Sequence, residues 1–236
     1  MSPHRITINF TSGKNKLVGN LILPDRPNLG VLFLHGGEKS TKERFLELQE
    51  LLHQENIASL AFDFQGVGES SGNFVTGSLN NRLRDAQTAF DNLQKYVKNI
   101  VVVGSSMGGH LALSLTGKRK ATGLILLYAA AYSKASENLA LNETFTAELR
   151  KPASWKDSSA FRDLKNFLLP ALVIYGEKDI VIPKDIQQTY QKNLNRQSKF
   201  VLLKEGAHLL LSPENEEEKQ AKEQTYKEII KFIKAL

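Results

Sequence analysis

One segment near the middle of the chain constrains the fold more than any other. Residues 100–109 read Ile-Val-Val-Val-Gly-Ser-Ser-Met-Gly-Gly: β-branched residues, then Gly-x-Ser-x-Gly, then residues that favour a helix. This order predicts a strand, a sharp turn that carries Ser106, and a helix, an arrangement known as a nucleophile elbow. Such a turn strains the backbone and brings neighbouring segments into contact, so we expect glycine to be required at Gly104 and Gly108.

Size and composition favour one globular domain in a reducing compartment. The chain has 236 residues, of which 41% are hydrophobic and 24% are charged, as expected of a domain with a sizeable core. It has no cysteine, which excludes disulfides, thiolate metal sites and a cysteine nucleophile. No signal-peptide pattern begins the sequence, and no apolar run approaches the roughly 20 residues needed to span a bilayer. We therefore predict a cytoplasmic location and no stable membrane insertion.

The net charge of +6 raises the question of an anionic partner. The densest basic cluster is Lys118-Arg119-Lys120, just after a predicted helix, where the carboxyl end of a helix favours cations in any case. We interpret the charge as an ordinary solubilising surface and predict no nucleic-acid partner. The oligomeric state stays open.

Predicted strands and helices alternate along the chain. The predicted strands are 5–10, 16–23, 30–35, 57–64, 100–103, 121–130, 170–175 and 200–203. The predicted helices are 42–54, 80–96, one after the elbow ending at about 116, 136–149, 183–194 and 214–236. The first two strands flank a turn and form a hairpin. The alternation predicts an α/β fold with a mostly parallel sheet of about eight strands and helices on both faces.

The segment 131–166 departs from this alternation because it is polar, rich in alanine and without a strand pattern. We interpret it as a small cap inserted after the sixth strand, so that residues 1–236 form a single domain. Tyr132 and the one tryptophan, Trp155, lie in this cap segment. Either ring is a candidate to bind substrate by lining a pocket over the elbow. The alternative for Trp155 is that it anchors the cap to the core.

A serine hydroxyl is a poor nucleophile at neutral pH and needs an adjacent base, usually a histidine. Of the five histidines, His208 follows the last predicted strand, where a loop faces the elbow, and it is our candidate base for Ser106. His4 and His53 are expected to be solvated. His110, in the helix after the elbow, is expected to pack or to meet solvent.

A carboxylate must orient the base, and it should follow a strand between the serine and the histidine. Asp179 meets that requirement in the segment after strand 170–175. Glu177 is the competitor, which we expect to be surface-exposed. The resulting order of serine, aspartate and histidine is the one found when a triad is built on this type of sheet.

Two backbone N–H groups are candidates for an oxyanion hole, the pair of donors that stabilises a tetrahedral intermediate. One belongs to Met107, directly after the nucleophile. The other belongs to Gly37, in the His-Gly-Gly sequence that ends the third predicted strand. His35 is then expected to organise this loop and not to act as the base.

The glycine-rich loop at 63–72 invites a phosphate-binding interpretation, which fails because Ser71 stands where the third glycine would be required. We expect a tight loop in which Asp63 accepts hydrogen bonds from the backbone. The chain has no Walker sequence and no clustered metal ligands, so we predict no cofactor and no metal.

Together these segments resemble the α/β-hydrolase superfamily. The resemblance rests on His-Gly-Gly at 35–37, Phe-Asp-Phe-Gln-Gly-Val-Gly-Glu-Ser at 62–70, the elbow at 104–109, and the segments 176–183 and 206–208. Within the superfamily the chain looks most like small esterases of the feruloyl-esterase, monoglyceride-lipase and serine-aminopeptidase-like group. In that group the 62–70 loop usually carries an arginine and a histidine where this chain has Gln65 and Val67.

The resemblance implies an enzyme that hydrolyses a small ester or acyl substrate through an acyl-enzyme. Ser106 would attack the carbonyl, His208 would relay the proton, and Asp179 would orient the imidazolium. A thioesterase or a peptidase would use the same triad, and only the pocket distinguishes them. A non-catalytic ligand-binding protein on the same fold is the alternative from a different class.

Overall fold

A computed structural model describes residues 5–37, 40–208 and 215–236. Eight strands form one sheet in the order β1-β2-β4-β3-β5-β6-β7-β8. Their bounds are β1 Arg5–Ser12, β2 Asn15–Ile22, β3 Leu29–Leu34, β4 Ala58–Phe62, β5 Asn99–Ser105, β6 Gly123–Leu127, β7 Ala171–Gly176 and β8 Lys199–Leu203. β1 and β2 form the predicted antiparallel hairpin, and β2 also runs antiparallel to β4. All other neighbours are parallel, which confirms the predicted α/β sheet.

Seven α-helices connect or follow the strands in the described residues. They are α1 Leu46–Gln54, α2 Leu79–Leu93, α3 Met107–Thr116, α4 Glu143–Leu149, α5 Ser159–Asn166, α6 Lys184–Lys192 and α7 Glu216–Lys234. The central strands are buried along almost their whole length, as expected when helices cover both faces of a sheet. None of the helices within the described residues combines the length and the apolar character needed to cross a membrane.

The helix predicted in the cap segment differs most from the observed structure. Of the helix predicted at 42–54, residues 42–45 form a 3₁₀ turn, and the helix predicted at 80–96 ends at 93. The helix predicted at 136–149 was wrong in its first half: residues 134–136 form one 3₁₀ turn, and α4 begins only at 143, because the Asn142 side chain accepts a hydrogen bond from the N–H of Thr144. The predicted start of the last helix, Glu214, lies outside the described residues. α7 begins at 216, with Asn215 as its N-cap.

Helix α5 was missed by the sequence analysis. Its side chains at Ala160, Phe161 and Leu164 are buried, while its other positions are mostly polar. Ser158 caps it by accepting a hydrogen bond from the N–H of Ala160. α4 and α5 both lie between β6 and β7, in the segment predicted to be a cap, and its status as a cap on a single domain stays a prediction.

The carboxyl ends of the parallel strands are level with one another. Leu34 at the end of β3 pairs with Gly104 in β5, and Gly176 at the end of β7 pairs with Leu203 in β8. Loops that follow these strands therefore meet at one edge of the sheet, which is where α/β folds bind ligands.

Candidate active site

Ser106 lies at the junction of β5 and α3 with a strained backbone. Its φ is 55° and its ψ is −117°, a conformation that few residues with a side chain adopt. A Cβ atom at Gly104 would lie 2.2 Å from the carbonyl oxygen of Gly108, and one at Gly108 would lie 2.1 Å from the carbonyl oxygen of Leu34. The requirement for glycine on both sides of the turn is therefore confirmed.

Substitution of Gly108 by alanine should destabilise the fold. The new methyl group would meet backbone in β3, which cannot rotate away as a flexible side chain can. We expect a loss of about 3 kcal/mol in the free energy of unfolding, or a Tm lower by about 10 °C. The control is Gly37→Ala, because a Cβ at Gly37 has nothing within 4 Å. Thermal unfolding of both variants checks this, and a wild-type Tm for G108A would contradict it.

The structure brings the three candidate triad residues together. His208 Nε2 lies 3.2 Å from Ser106 Oγ, and His208 Nδ1 lies 3.3 Å from Asp179 Oδ2. The three residues follow β5, β7 and β8, so three separate loops supply them at the same edge of the sheet. Glu177 is exposed, as expected for the competitor.

The Asp179 carboxyl is held in the ionised form. It is only 3% exposed, and burial alone would raise its pKa. Hydrogen bonds from His208 and from the N–H groups of Ile182 and Val181 outweigh that effect, so its pKa lies below the ordinary value. The two backbone N–H groups bind Oδ1 at 3.1 and 2.8 Å, which leaves Oδ2 directed at the imidazole. Asp179 can therefore hold an imidazole in one tautomer and stabilise its positive charge.

The loop after β3 lies directly against the elbow. A Cβ atom at Gly36 would lie 3.4 Å from the Cβ and 3.8 Å from the Oγ of Ser106, so a side chain at this position would contact the serine. Gly37, the next residue, has open space around it. Met107 is the first residue of α3, where backbone N–H groups have no partner within the helix. Both candidate oxyanion donors thus belong to segments that adjoin Ser106.

His35 is buried and organises this loop, as expected. Its Nε2 accepts a hydrogen bond from the N–H of Phe64, so the proton sits on Nδ1, which contacts the carbonyl oxygen of Gly36 at 3.2 Å. Burial, followed by the nearby charge of Arg82, holds the pKa of His35 well below its ordinary value. A neutral, fully enclosed imidazole with both nitrogens occupied is unsuited to act as the base.

A buried ion pair that the sequence analysis missed joins the β3 and β4 loops. Lys42 is 2% exposed, and its Nζ lies 2.7 Å from Asp63 Oδ2 and 2.5 Å from Glu69. Asp63 also accepts hydrogen bonds from the N–H groups of Lys42 and Glu69, as predicted for its backbone contacts. Removing one partner of such a pair leaves an uncompensated buried charge, so the pair fixes these two loops relative to each other.

The two aromatic residues proposed for a substrate pocket pack within the cap and against α3. Tyr132 is buried, with ring centroids 5.2 Å from His110 and 5.3 Å from Phe145. Trp155 is half-buried and meets Phe161, within the same segment, edge-on at 5.9 Å. It also packs against the hydrophobic core, which favours its role as an anchor. A role for either ring in binding substrate stays a prediction.

His110 is a buried histidine outside the triad, one turn into α3. Its Nδ1 has no hydrogen-bond partner among the described residues, and its ring packs against Tyr132. Burial lowers its pKa to about 4. The imidazole is therefore neutral at pH 7 and has a packing role, one of the two outcomes expected for it.

This buried imidazole should make the fold sensitive to mild acid. In the unfolded chain the pKa of His110 is about 6.5. In the folded protein the pKa is about 4, so the folded imidazole stays neutral at pH values where the unfolded one is protonated. Stability is therefore lost as the pH falls below 6.5. We expect His110 to contribute a fall of about 2 kcal/mol in unfolding free energy between pH 7 and pH 5. Urea unfolding of wild type and His110→Leu at both pH values tests this, and parallel pH profiles would contradict it.

Comparison with known proteins places the chain in a family. A family model described as "Serine aminopeptidase, S33" matches residues 25–156, which is more than half of the chain. Among curated relatives, the multifunctional-autoprocessing repeats-in-toxin of Vibrio cholerae is 36% identical over 89 residues, which are 36% of this chain and 2% of the toxin. Protein bem46 of Schizosaccharomyces pombe is 25% identical over 170 residues, which are 67% of this chain and 53% of that protein.

Solved structures share the whole fold at low identity. Est1E from Butyrivibrio proteoclasticus, solved with ferulic acid bound, has a TM-score of 0.75 and 17% identity, covering 96% of this chain and 99% of that one. The thioesterase domain from the curacin biosynthetic pathway has a TM-score of 0.70 and 18% identity, and the match covers 96% of this chain and 99% of that one. These structures show the fold that the chain shares. The family model that matches residues 25–156 shows that the chain belongs to the serine aminopeptidase S33 family of α/β hydrolases.

Proposed function

We propose that this protein is a serine hydrolase that cleaves a carboxylic ester through an acyl-enzyme intermediate. Ser106 is the nucleophile, His208 the general base and acid, and Asp179 the residue that orients His208. The observation that carries the proposal is the continuous chain of hydrogen bonds from Ser106 Oγ through both imidazole nitrogens to a buried carboxylate. The substrate is a small or medium acyl ester, and the cytoplasmic location stays a prediction.

In the first half of the reaction, His208 Nε2 removes the hydroxyl proton as Ser106 Oγ attacks the ester carbonyl. The carbon–oxygen π electrons move onto the carbonyl oxygen, and Asp179 stabilises the imidazolium that forms. Collapse of the tetrahedral intermediate breaks the bond to the alkoxide. The imidazolium protonates that alkoxide as it leaves, and the acyl group stays on Ser106.

In the second half, water replaces the alcohol. His208 takes a proton from water, the hydroxide attacks the acyl carbon, and the second tetrahedral intermediate collapses to release the acid. The proton returns to Ser106 Oγ, so the enzyme is regenerated. The N–H groups of Met107 and Gly37 are proposed to bind the oxyanion in both intermediates.

A thioesterase is the second candidate function, because the fold matches a thioesterase domain as well as an esterase from Exiguobacterium antarcticum. The triad chemistry is the same for both, and a peptidase would also share it. Whether the protein is an esterase, a thioesterase or a peptidase depends on the leaving group that the site accepts. The backbone fold does not determine that leaving group.

A substrate panel separates these activities. Purified wild-type protein would be tested with nitrophenyl esters from acetate to dodecanoate, an acyl thioester and an aminoacyl anilide, with Ser106→Ala as the blank. We expect the highest kcat/KM for one of the esters. A higher value for the thioester or the anilide would replace the ester assignment. Folded protein that turns over no substrate and takes no active-site label would favour a non-catalytic binding protein on this fold.

A further inference from the structure

The peptide group that joins Gly36 to Gly37 is held from behind by a buried arginine. Arg82 projects from the first turn of α2 and is fully buried. Its Nη1 donates a hydrogen bond of 2.8 Å to the carbonyl oxygen of Gly36. The Gly36 carbonyl and the Gly37 N–H belong to the same peptide group. Whatever fixes the carbonyl therefore also fixes the direction of the N–H proposed to bind the oxyanion.

From this arrangement we infer that Arg82 is a positioning residue for the oxyanion hole, which it orients and polarises through the peptide group joining Gly36 and Gly37. The inference rests on the proposed serine-hydrolase function. A charged donor on a peptide carbonyl draws electron density towards the oxygen and makes the N–H at the other end a stronger donor. His35 Nδ1 contacts the same oxygen, so the carbonyl has two donors.

The guanidinium directs its one described hydrogen bond at this carbonyl. Arg82 Nε and Nη2 have no partner among the described residues, although both atoms are buried. The ring centroids of Phe64 and Phe74 lie 4.8 and 5.0 Å from the guanidinium carbon, so the charge packs against aromatic rings. The Asp85 carboxylate acts on this charge electrostatically, and no hydrogen bond or ion pair between the two is described. Burial lowers the pKa of Arg82 to about 10, which still leaves it charged at neutral pH.

The cost of this arrangement argues against a role in loop bracing alone. A buried charge is expensive unless it is closely paired, and Asp85 raises the pKa of Arg82 through its charge without forming a described ion pair with it. The loop is already braced by His35 and by the Lys42–Asp63 pair. A neutral donor would satisfy the Gly36 carbonyl equally well. A positive charge adds to what a neutral donor supplies where negative charge develops, and the proposed reaction develops it beside Ser106.

The test compares Arg82→Met, Arg82→Gln and Arg82→Lys with wild type, and Arg84→Met is the control because Arg84 is an exposed arginine on the same helix. A fluorophosphonate counts the active sites in each preparation, and kcat and KM are measured per labelled site on the best ester. The Ki of a trifluoromethyl ketone is measured in parallel, since its adduct with serine carries an oxyanion. Labelling and turnover of wild type test the proposed function separately.

We expect kcat of R82M to fall about 10- to 100-fold with KM within about threefold of wild type, because the loss of a whole oxyanion donor costs about 100- to 1,000-fold. The Ki of the ketone should rise in parallel. R84M should match wild type in both kcat and Ki. Among the longer polar variants, kcat should decrease from wild type to R82K and from R82K to R82Q. If R82M fails to fold, that order in the two longer polar variants carries the test. Unchanged kcat per labelled site, or an unchanged Ki, would overturn the inference.

Discussion

Replacement of Ser106 by alanine should abolish turnover while the protein remains folded. The substitution removes one atom, Oγ, whose described hydrogen bond is with His208. The strained φ of 55° costs alanine about as much as serine, so the turn gains no new strain. With no nucleophile, the remaining groups can only polarise the carbonyl, and we expect kcat to fall by at least about 10⁴-fold. Initial rates on the best ester measure the loss of turnover, and the Tm shows whether the variant remains folded.

The neighbouring serine provides a matched control. Ser105 is the last residue of β5 and is buried, with a side chain of the same size. Ser105→Ala should keep turnover within a fewfold of wild type. An S106A protein with more than a hundredth of wild-type turnover would mean that Ser106 is not the nucleophile.

The second large effect is expected for Asp179→Asn. The amide oxygen can still accept the hydrogen bonds from Val181 and Ile182, so the loop should keep its shape. The amide nitrogen is a donor and cannot accept the hydrogen bond from the N–H at His208 Nδ1, so the imidazole is held in the wrong tautomer and its positive charge is unsupported. We expect kcat to fall by about 10²- to 10⁴-fold with little change in KM.

Glu177→Gln is the control for this substitution, because Glu177 follows the same strand and is exposed. Its kcat should equal that of wild type. If D179N kept near-normal turnover and E177Q lost it, the assignment of the acid would pass to Glu177. Both variants should be titrated with the fluorophosphonate, so that losses are expressed per intact site.

Much of the sheet can be predicted from sequence because its central strands are buried on both faces. Segments such as 100–103 and 170–175 are continuously apolar. In a chain of alternating strands and helices, a short apolar segment of this kind is typical of a strand buried on both faces. α5 was missed because it has only eight residues, so that its three buried apolar side chains, although they lie on one face, give a short pattern. The helix predicted at 136–149 was too long because a single N-cap residue, Asn142, decides where α4 begins.

The positions of the candidate triad follow from strand order, since Ser106, Asp179 and His208 each come after a predicted parallel strand. The buried contacts of Lys42 and Arg82 near the site cannot be predicted from strand order. Lys42 meets Asp63 across 21 residues, and Arg82 meets Gly36 across 46. The one local signal is that Arg82 lies on the apolar face of α2, where a charge is out of place. Such a residue indicates a buried partner without identifying it.

The most direct test of the central claim is covalent labelling of folded wild-type protein with a fluorophosphonate, followed by mass spectrometry of the peptides. The account predicts one label per chain, attached to Ser106, and no label after Ser106→Ala or when the protein is unfolded first. A folded protein that remains unlabelled, or that carries the label on another serine, would contradict it.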